Sequence, residues 1–503
     1  MSQELAANAS QADKNSRALA TDHLMADLGR RTASGGAIAI GAQVVKMALQ
    51  LATLAVMARL LAPEDFGLVA MAATVTIFVG LFTDLGLSAA TVQRRDIDQG
   101  TVSALFYINL AMGALVMLAA MAAAPLAAWF FDDERVSWIV MALALQIPFA
   151  AASAQHNALL QRGMRWVAIQ WTGIAAQFAG AAVGIALAWR TDIGFWALVV
   201  QGWVTVPLGL VLVWLVCPWR PGRVTSWTGT RSALKFGLNL TGFNLLNYFS
   251  RNADDVLIGW AWGAASLGLY NRAYMLMMSP ITQLNAPLAK VAIPALSRLA
   301  GHDERYRDAY RRIVQKLLLL SLPLVGLLIG TADWVIELLL GPGWEGAVAI
   351  FFWLGIAALY QPLSNAIGWL FITQDRTREL RQWGLFSCLI TIASFLVGLP
   401  FGPVGVAASY ALAGLFIKLP VLFWWAGGSG PVHSRMLWET LLTFLPLGVG
   451  TAAISLAIHP WLLSTVAAQA ISITAVVCIV ITLVACAAVP AYRNAINDLR
   501  QYT

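Results

Sequence analysis

The chain has 503 residues, of which 59% are hydrophobic and 11% charged, with a formal net charge of +7. Apolar runs of about 20 residues or more recur along its whole length, which excludes an ordinary soluble domain and points to a polytopic membrane protein. The basic residues cluster in the short loops between those runs, which suits the anionic inner leaflet of a membrane and leaves no case for nucleic acid as a partner.

The first 33 residues are too polar and too long before the first apolar run to be a cleavable signal peptide, so 1–34 is expected to be a flexible cytoplasmic tail with one interfacial turn around Leu24 to Leu28. An all-α fold of about fourteen transmembrane helices is predicted after it. The spans are 35–61, 66–91, 101–130, 136–160, 167–189, 195–217, 236–262, 273–297, 313–340, 346–372, 383–401, 403–425, 436–458 and 464–489. They divide into a first lobe over 35–217 (helices one to six), a cytoplasmic linker over 218–235, a second lobe over 236–425 (helices seven to twelve), and 426–503 with the last two helices and the C-terminal tail.

Of the 32 Lys and Arg, 24 fall on the tail, the even-numbered connections and the C-terminal end, counting Lys316 at the start of the ninth helix with the loop before it. Only Arg135, Arg190 and Arg272 fall on the odd-numbered connections. Both termini are therefore expected in the cytoplasm. Lys46, Arg59, Arg251, Lys290 and Lys418 lie within the helices themselves.

The first odd-numbered connection is brief. In "LLAPEDFG" Pro63 can open the second helix, with Glu64 and Asp65 at the positive end of its dipole. Later connections on the same side ("FDDER", "RTDIG", "GPGWEG") are as short, so no outer domain could hold a catalytic centre, and no GxxxxGK[ST] phosphate loop occurs. Neither catalytic residues nor a cofactor or metal is expected. Cys217, Cys388, Cys478 and Cys486 sit in apolar segments without metal-type spacing and read as core residues.

Shifting the chain by 201 residues superimposes Gly36 on Gly237, Gly41 on Gly242, Gly67 on Gly268 and Asp84 on Asn285. Gln43, Lys46, Gln50 and Thr53 of the first helix then fall opposite Asn244, Asn247, Arg251 and Asp254 of the seventh. Six crossings separate the copies, so the two lobes should be related by a pseudo-two-fold axis along the membrane normal.

At 100° per residue, Asn244, Asn247, Tyr248, Asp254 and Asp255 lie within about 60° of Arg251 on the seventh helix. On the first helix, Gln43, Lys46, Gln50 and Thr53 lie within about 80° of one another. Three charges facing lipid would cost roughly 8 to 10 kcal/mol, so Arg251, Asp254 and Asp255 must face a cavity or one another. Pairing of Arg251 with Asp254 or Asp255 along the helix is the structural alternative. It does not account for the uncharged Asn and Gln, nor for Lys46, and a wet cavity between the lobes accounts for all of them. His156 reads as a capping or interface residue, Asp333 and Glu337 as solvated helix-end positions, and Trp424, Trp425 and Trp461 as interfacial anchors.

"LLAPEDFGLVAMAATVTIFVGLFTDLGLSAATVQRRDID", "NYFSRNADDVLIGWAWGAASLGLYNRAYML" and "PALSRL" resemble the Wzx-type flippases of the polysaccharide-transporter branch of the multidrug/oligosaccharidyl-lipid/polysaccharide exporter superfamily, especially its colanic-acid-exporter-like members. The resemblance covers nearly the whole chain from about residue 30. It implies a V-shaped central cavity and the flipping of undecaprenyl-diphosphate-linked oligosaccharide units across the bacterial inner membrane by alternating access, for exopolysaccharide or lipopolysaccharide export. A polysaccharide polymerase or export machinery would be the partner, beside the membrane lipids.

Under that reading Gln43, Lys46, Gln50, Asn244, Asn247, Tyr248, Arg251 and Lys290 are the expected substrate-binding residues, and Asp84, Asp254 and Asp255 the ion-coupling candidates. In lipid II flippase relatives a cation site joins the seventh helix to the eleventh, but here the eleventh offers only Ser387, Thr391 and Ser394. The alternatives are another lipid-linked-precursor flippase, a multidrug or cation antiporter of the same superfamily, and a membrane glycosyltransferase or polymerase. Lys46, Arg251 and Lys290 favour an anionic cargo over a cationic one, and the catalytic outer loop an enzyme would need is lacking.

Overall fold

A computed structural model of the chain describes the backbone over 28–93, 97–224, 228–462 and 465–490, with a few positions beyond these. Its side chains are described outside 28–40, 228–247, 250 and 486–488. The side chains of Asn244, Asn247 and Cys486, and the expected turn before Leu28, thus lie outside the described residues.

Among the described residues every regular element is helical: α1 (Leu28–Leu60), α2 (Pro63–Asp84), α3 (Leu87–Gln93), α4 (Gln99–Phe131), α5 (Glu134–Ala144), α6 (Ile147–Arg162), α7 (Trp166–Arg190), α8 (Trp196–Val216), α9 (Thr228–Ser297), α10 (Asp303–Gly330), α11 (Ala332–Leu339), α12 (Gly346–Thr373), α13 (Thr377–Gly398), α14 (Gly402–Ala413), α15 (Leu419–Gly427), α16 (Ser434–Ile458) and α17 (Ala467–Ala488). In hydrocarbon each backbone amide must be bonded internally, and a helix does this within one segment. Eleven described stretches are long and apolar enough to cross a membrane. One of them, 377–427, is divided at Leu399–Phe401. With the two arms of α9 this makes the fourteen spans of an all-α polytopic membrane protein.

The interruptions have local causes. Leu85 (φ 46°) and Gly86 (φ 68°) take left-handed conformations and separate α2 from α3. Gly263 breaks α9 at φ 77°, ψ −178°, a region open essentially to glycine alone. The predicted connection over 263–272 therefore contracts to one residue, and Arg272 lies in a helix. The stretch "GAASLGLYNR" has a loop-like content of Gly and Ser, yet only its first glycine is needed for the turn. Trp262 donates its indole N–H to the Leu399 carbonyl at 2.8 Å, and a Cβ on Gly402 would lie 3.8 Å from its ring. A π-helical turn over Gly414–Lys418 precedes α15.

The chain forms two compact units, 1–252 and 253–503. In the first, α7 and α8 approach so closely that a Cβ on Gly180 would fall 2.0 Å from Thr205 Oγ1. Gln11 and Asn15, in the segment expected to be flexible, bond the backbone of Pro218 and Arg220. Arg135 joins two turns by pairing with Asp133 at 2.7 Å and Glu64 at 2.6 Å. Its guanidinium holds the Asp133 carboxyl below the usual carboxylate range.

In the second unit α16 lies along α10, where a Cβ on Gly326 would fall 2.1 Å from the Gly448 carbonyl oxygen. Small residues at such contacts let helix backbones close up where lipid supplies no hydrophobic drive. Leu317, Leu322, Leu363, Leu370, Phe423 and Phe444 fill the core around them.

Candidate functional site

In the first unit Gln43 and Gln50 are exposed on α1 and Lys46 is half-buried between them in sequence. Lys46 Nζ donates to Gln170 Oε1 on α7 at 2.6 Å, and Gly173 leaves room for the ammonium, 3.3 Å from where a Cβ would stand. Its partner is a neutral amide, so the positive charge is not cancelled there. Thr53 donates to the Leu49 carbonyl of its own helix. Tyr248 is buried, its hydroxyl donating to the Thr74 carbonyl and its ring packing 5.5 Å from Phe78. Arg251, one turn further on, is exposed.

A second polar group of this unit gathers at the break after α2. Asp84 accepts from the Ser88 amide at 3.2 Å, the Ser88 hydroxyl at 2.7 Å and Asn109 Nδ2 of α4 at 3.1 Å. Thr91 donates to Gln155 Oε1 at 2.7 Å nearby. His156 is fully buried and stacks on Trp214 at 4.4 Å, as befits an interface residue.

In the second unit the two carboxylates of the seventh helix find their partners across the Gly263 turn. Tyr270 donates its hydroxyl to Asp254 Oδ2 at 2.9 Å, and Asn271 Nδ2 donates to Asp255 Oδ2 at 3.2 Å. Both pairs join residues 16 apart, one on each side of Gly263, so the chain folds back at that glycine. Asp254 is buried and its Oδ1 has no hydrogen-bond partner. Lys290 is exposed on the second arm.

The tertiary structure adds clusters that sequence reasoning did not assemble. Lys418, at the end of the π turn, donates Nζ to Thr391 Oγ1 at 2.9 Å and lies over the Tyr410 ring at 5.4 Å. Tyr410 in turn accepts from Gln361 Nε2 at 3.1 Å. The lone lysine in an apolar run was the only sign of this cluster, and Asn109 carried an equally faint one. Asp333 pairs with His459, which stacks on Trp334 at 4.5 Å beside a cavity of about 530 Å³ also lined by Glu345, Phe352 and Trp353. Glu345 accepts from the Gly343 amide, and its carboxyl is lowered by backbone hydrogen bonds. Cys217 and Cys478 are buried and unbonded to other cysteines. Among the described residues no group of three or more His, Cys, Asp or Glu is placed to hold a metal ion.

Residues 56–349 match the family described as "Polysaccharide biosynthesis protein". The chain is 23% identical over 449 residues to the lipopolysaccharide biosynthesis protein WzxC of Escherichia coli (strain K12), covering 85% of this chain and 88% of that one. It is 26% identical over 310 residues to the teichuronic acid biosynthesis protein TuaB of Bacillus subtilis (strain 168), covering 61% of this chain and 64% of that one, so the match spans less than two thirds of TuaB. In fold it is similar to the lipid II flippase MurJ in an inward closed conformation, with a TM-score of 0.68 at 11% identity over 91% of this chain and 97% of that one.

Proposed function

The chain belongs to the polysaccharide biosynthesis protein family, within the Wzx-type transporters that its sequence resembles, and from that premise we propose that it flips lipid-linked oligosaccharide units across the bacterial inner membrane. The observation that carries the reading is a family of polysaccharide-biosynthesis membrane proteins joined to the fold of a lipid-linked-precursor flippase. The chemistry of the task suits the residues. Each sugar hydroxyl is expensive to bury without a partner, while a polyprenyl tail can stay in lipid, so the carrier needs polar side chains within its spans and a route open to the bilayer. Gln43, Lys46, Gln50, Asn244, Asn247, Tyr248, Arg251 and Lys290 are the proposed contacts. Lys46, held by a neutral amide, and exposed Arg251 are the cations offered to the diphosphate.

Transport then runs by alternating access between lobes at 35–217 and 236–425, with both termini cytoplasmic. Asp84, Asp254 and Asp255 are the proposed handles for a proton or cation gradient. Polymerase or export machinery would take up the product.

The test is polysaccharide export at matched membrane abundance. Lys46→Ala and Arg251→Ala should each lower export several-fold, whereas Asp254→Asn and Asp255→Asn should make what export remains indifferent to dissipating the ion gradient. Normal export by both cation variants would overturn the anion-binding role. If Arg251 served only to neutralise Asp255, Arg251→Ala alone would lower abundance and Arg251→Ala with Asp255→Ala would restore it.

A further inference from the structure

The break between α2 and α3 carries more polar groups than its own turn needs. Asp84 closes α2, and the last turn of a helix leaves carbonyl oxygens without intrahelical donors at the negative end of the dipole. Three donors already reach Asp84 Oδ1, whereas Oδ2 accepts only from the Ser88 amide at 3.3 Å. Asn109 is fully buried. Its NH2 is committed to Asp84, and its Oδ1 has no partner. Thr83 Oγ1 is likewise buried and unpartnered. Thr83, Asp84 and Asn109 line one cavity of about 290 Å³ with Gly80 and the apolar Ile147, Ala150, Ala151 and Ala154. A buried amide oxygen and a buried hydroxyl left without donors are rare in folded proteins and ask for an occupant.

We propose that Asp84, Asn109 Oδ1 and Thr83 Oγ1, gathered at the C-terminal end of α2, form a binding site for a sodium ion. One carboxylate among neutral oxygens balances a single positive charge, whereas divalent ions are held by more carboxylates or by substrate phosphates. Helix ends whose carbonyls coordinate sodium are an established device of secondary transporters. The site stands on this geometry alone. Its use as the coupling ion rests on the flippase reading above.

The experiment is equilibrium binding of radiolabelled Na+ to the purified full-length protein in nanodiscs, with choline replacing Na+ at constant ionic strength. Saturable binding is expected in the wild type and its loss in Asp84→Asn. Thr83→Val is the discriminating variant: its hydroxyl has no partner in the fold, so its removal should leave abundance intact while weakening Na+ binding by roughly tenfold or more. Gly80→Leu should abolish binding by filling the cavity, because a Cβ at that position meets nothing within 4 Å.

An absence of saturable binding in the wild type, equal binding in the wild type and Thr83→Val, or displacement by K+ as readily as by Na+ would each overturn the site. A second measurement separates the two readings. If Na+ binds and Asp84→Asn abolishes it, yet export in proteoliposomes ignores a Na+ gradient, the coupling role falls and the site remains.

Discussion

At the scale of the residue, the charges within the spans divide by the kind of partner they find. Lys46 and Lys418 rest on neutral oxygens of Gln170 and Thr391, so their charge stays available, whereas Asp254 and Asp255 are held by a phenol and an amide across a turn. Removing one member of such a pair strands the other, and removing both is close to neutral. Tyr270→Phe should therefore lower stability by about 1 kcal/mol, the order found for interhelical hydrogen bonds in membrane proteins. Tyr270→Phe combined with Asp254→Leu should recover most of it. Thermal unfolding in detergent at fixed pH checks this, and additive losses in the double variant would show that the two groups are not coupled. The Arg135–Asp133 pair is of another kind. With Arg135 exposed and Asp133 half-buried, it contributes up to about 1 kcal/mol. Because the folded-state carboxyl of Asp133 is depressed, that contribution is present above the ordinary carboxylate range and is lost as pH falls through the folded value.

At the scale of the element, single residues set where helices stop. Gly263 reverses the chain at φ 77° with open space where a Cβ would stand, so the cost of Gly263→Ala is backbone strain alone, about 1–3 kcal/mol. The two arms would then straighten or shift, and the 254–270 and 255–271 pairs would lose register together. The expected outcome is a lower unfolding temperature with a loss of export larger than that of Gly343→Ala, which strains an exposed turn outside the spans. Equal effects at the two glycines would show that the arms are not registered through Gly263. The seventh connection was also the element least legible beforehand. Its Gly and Ser content reads as a loop because composition cannot tell one necessary glycine from the small residues that follow it.

At the scale of the whole molecule, charge and hydropathy together make a topological prediction. Reporter fusions at Gly100, Arg223, His302 and Thr377 should report cytoplasm, and those at Asp133, Gly194 and Gly343 the periplasm, because the basic connections alternate in that sense. Arg272 lies within a helix, nine residues past the Gly263 break, whereas Arg135 and Arg190 stand at helix ends, which sharpens the bias. Inverted signals at two or more sites would overturn the orientation.

The sequence by itself determined the class, the number and order of the spans, and the family. Hydropathy, helical periodicity and basic-loop bias are local properties, and they survive whatever the helices pack against. Asp84 was also legible, as a carboxylate in an apolar run. Its surroundings were not: the partner is Asn109 on the next helix, and the orphaned Thr83 hydroxyl and Asn109 oxygen have meaning only once α2, α4 and α6 border one cavity. The same holds for Tyr270 beneath Asp254 and for Lys418 on Thr391, which are 16 and 27 residues apart in sequence. Which side chains meet is decided by the breaks at Leu85, Gly263 and the π turn and by the close approach of helices at Gly180 and Gly326. Periodicity places a residue on a face; only the packing of that face against a neighbour supplies its partner.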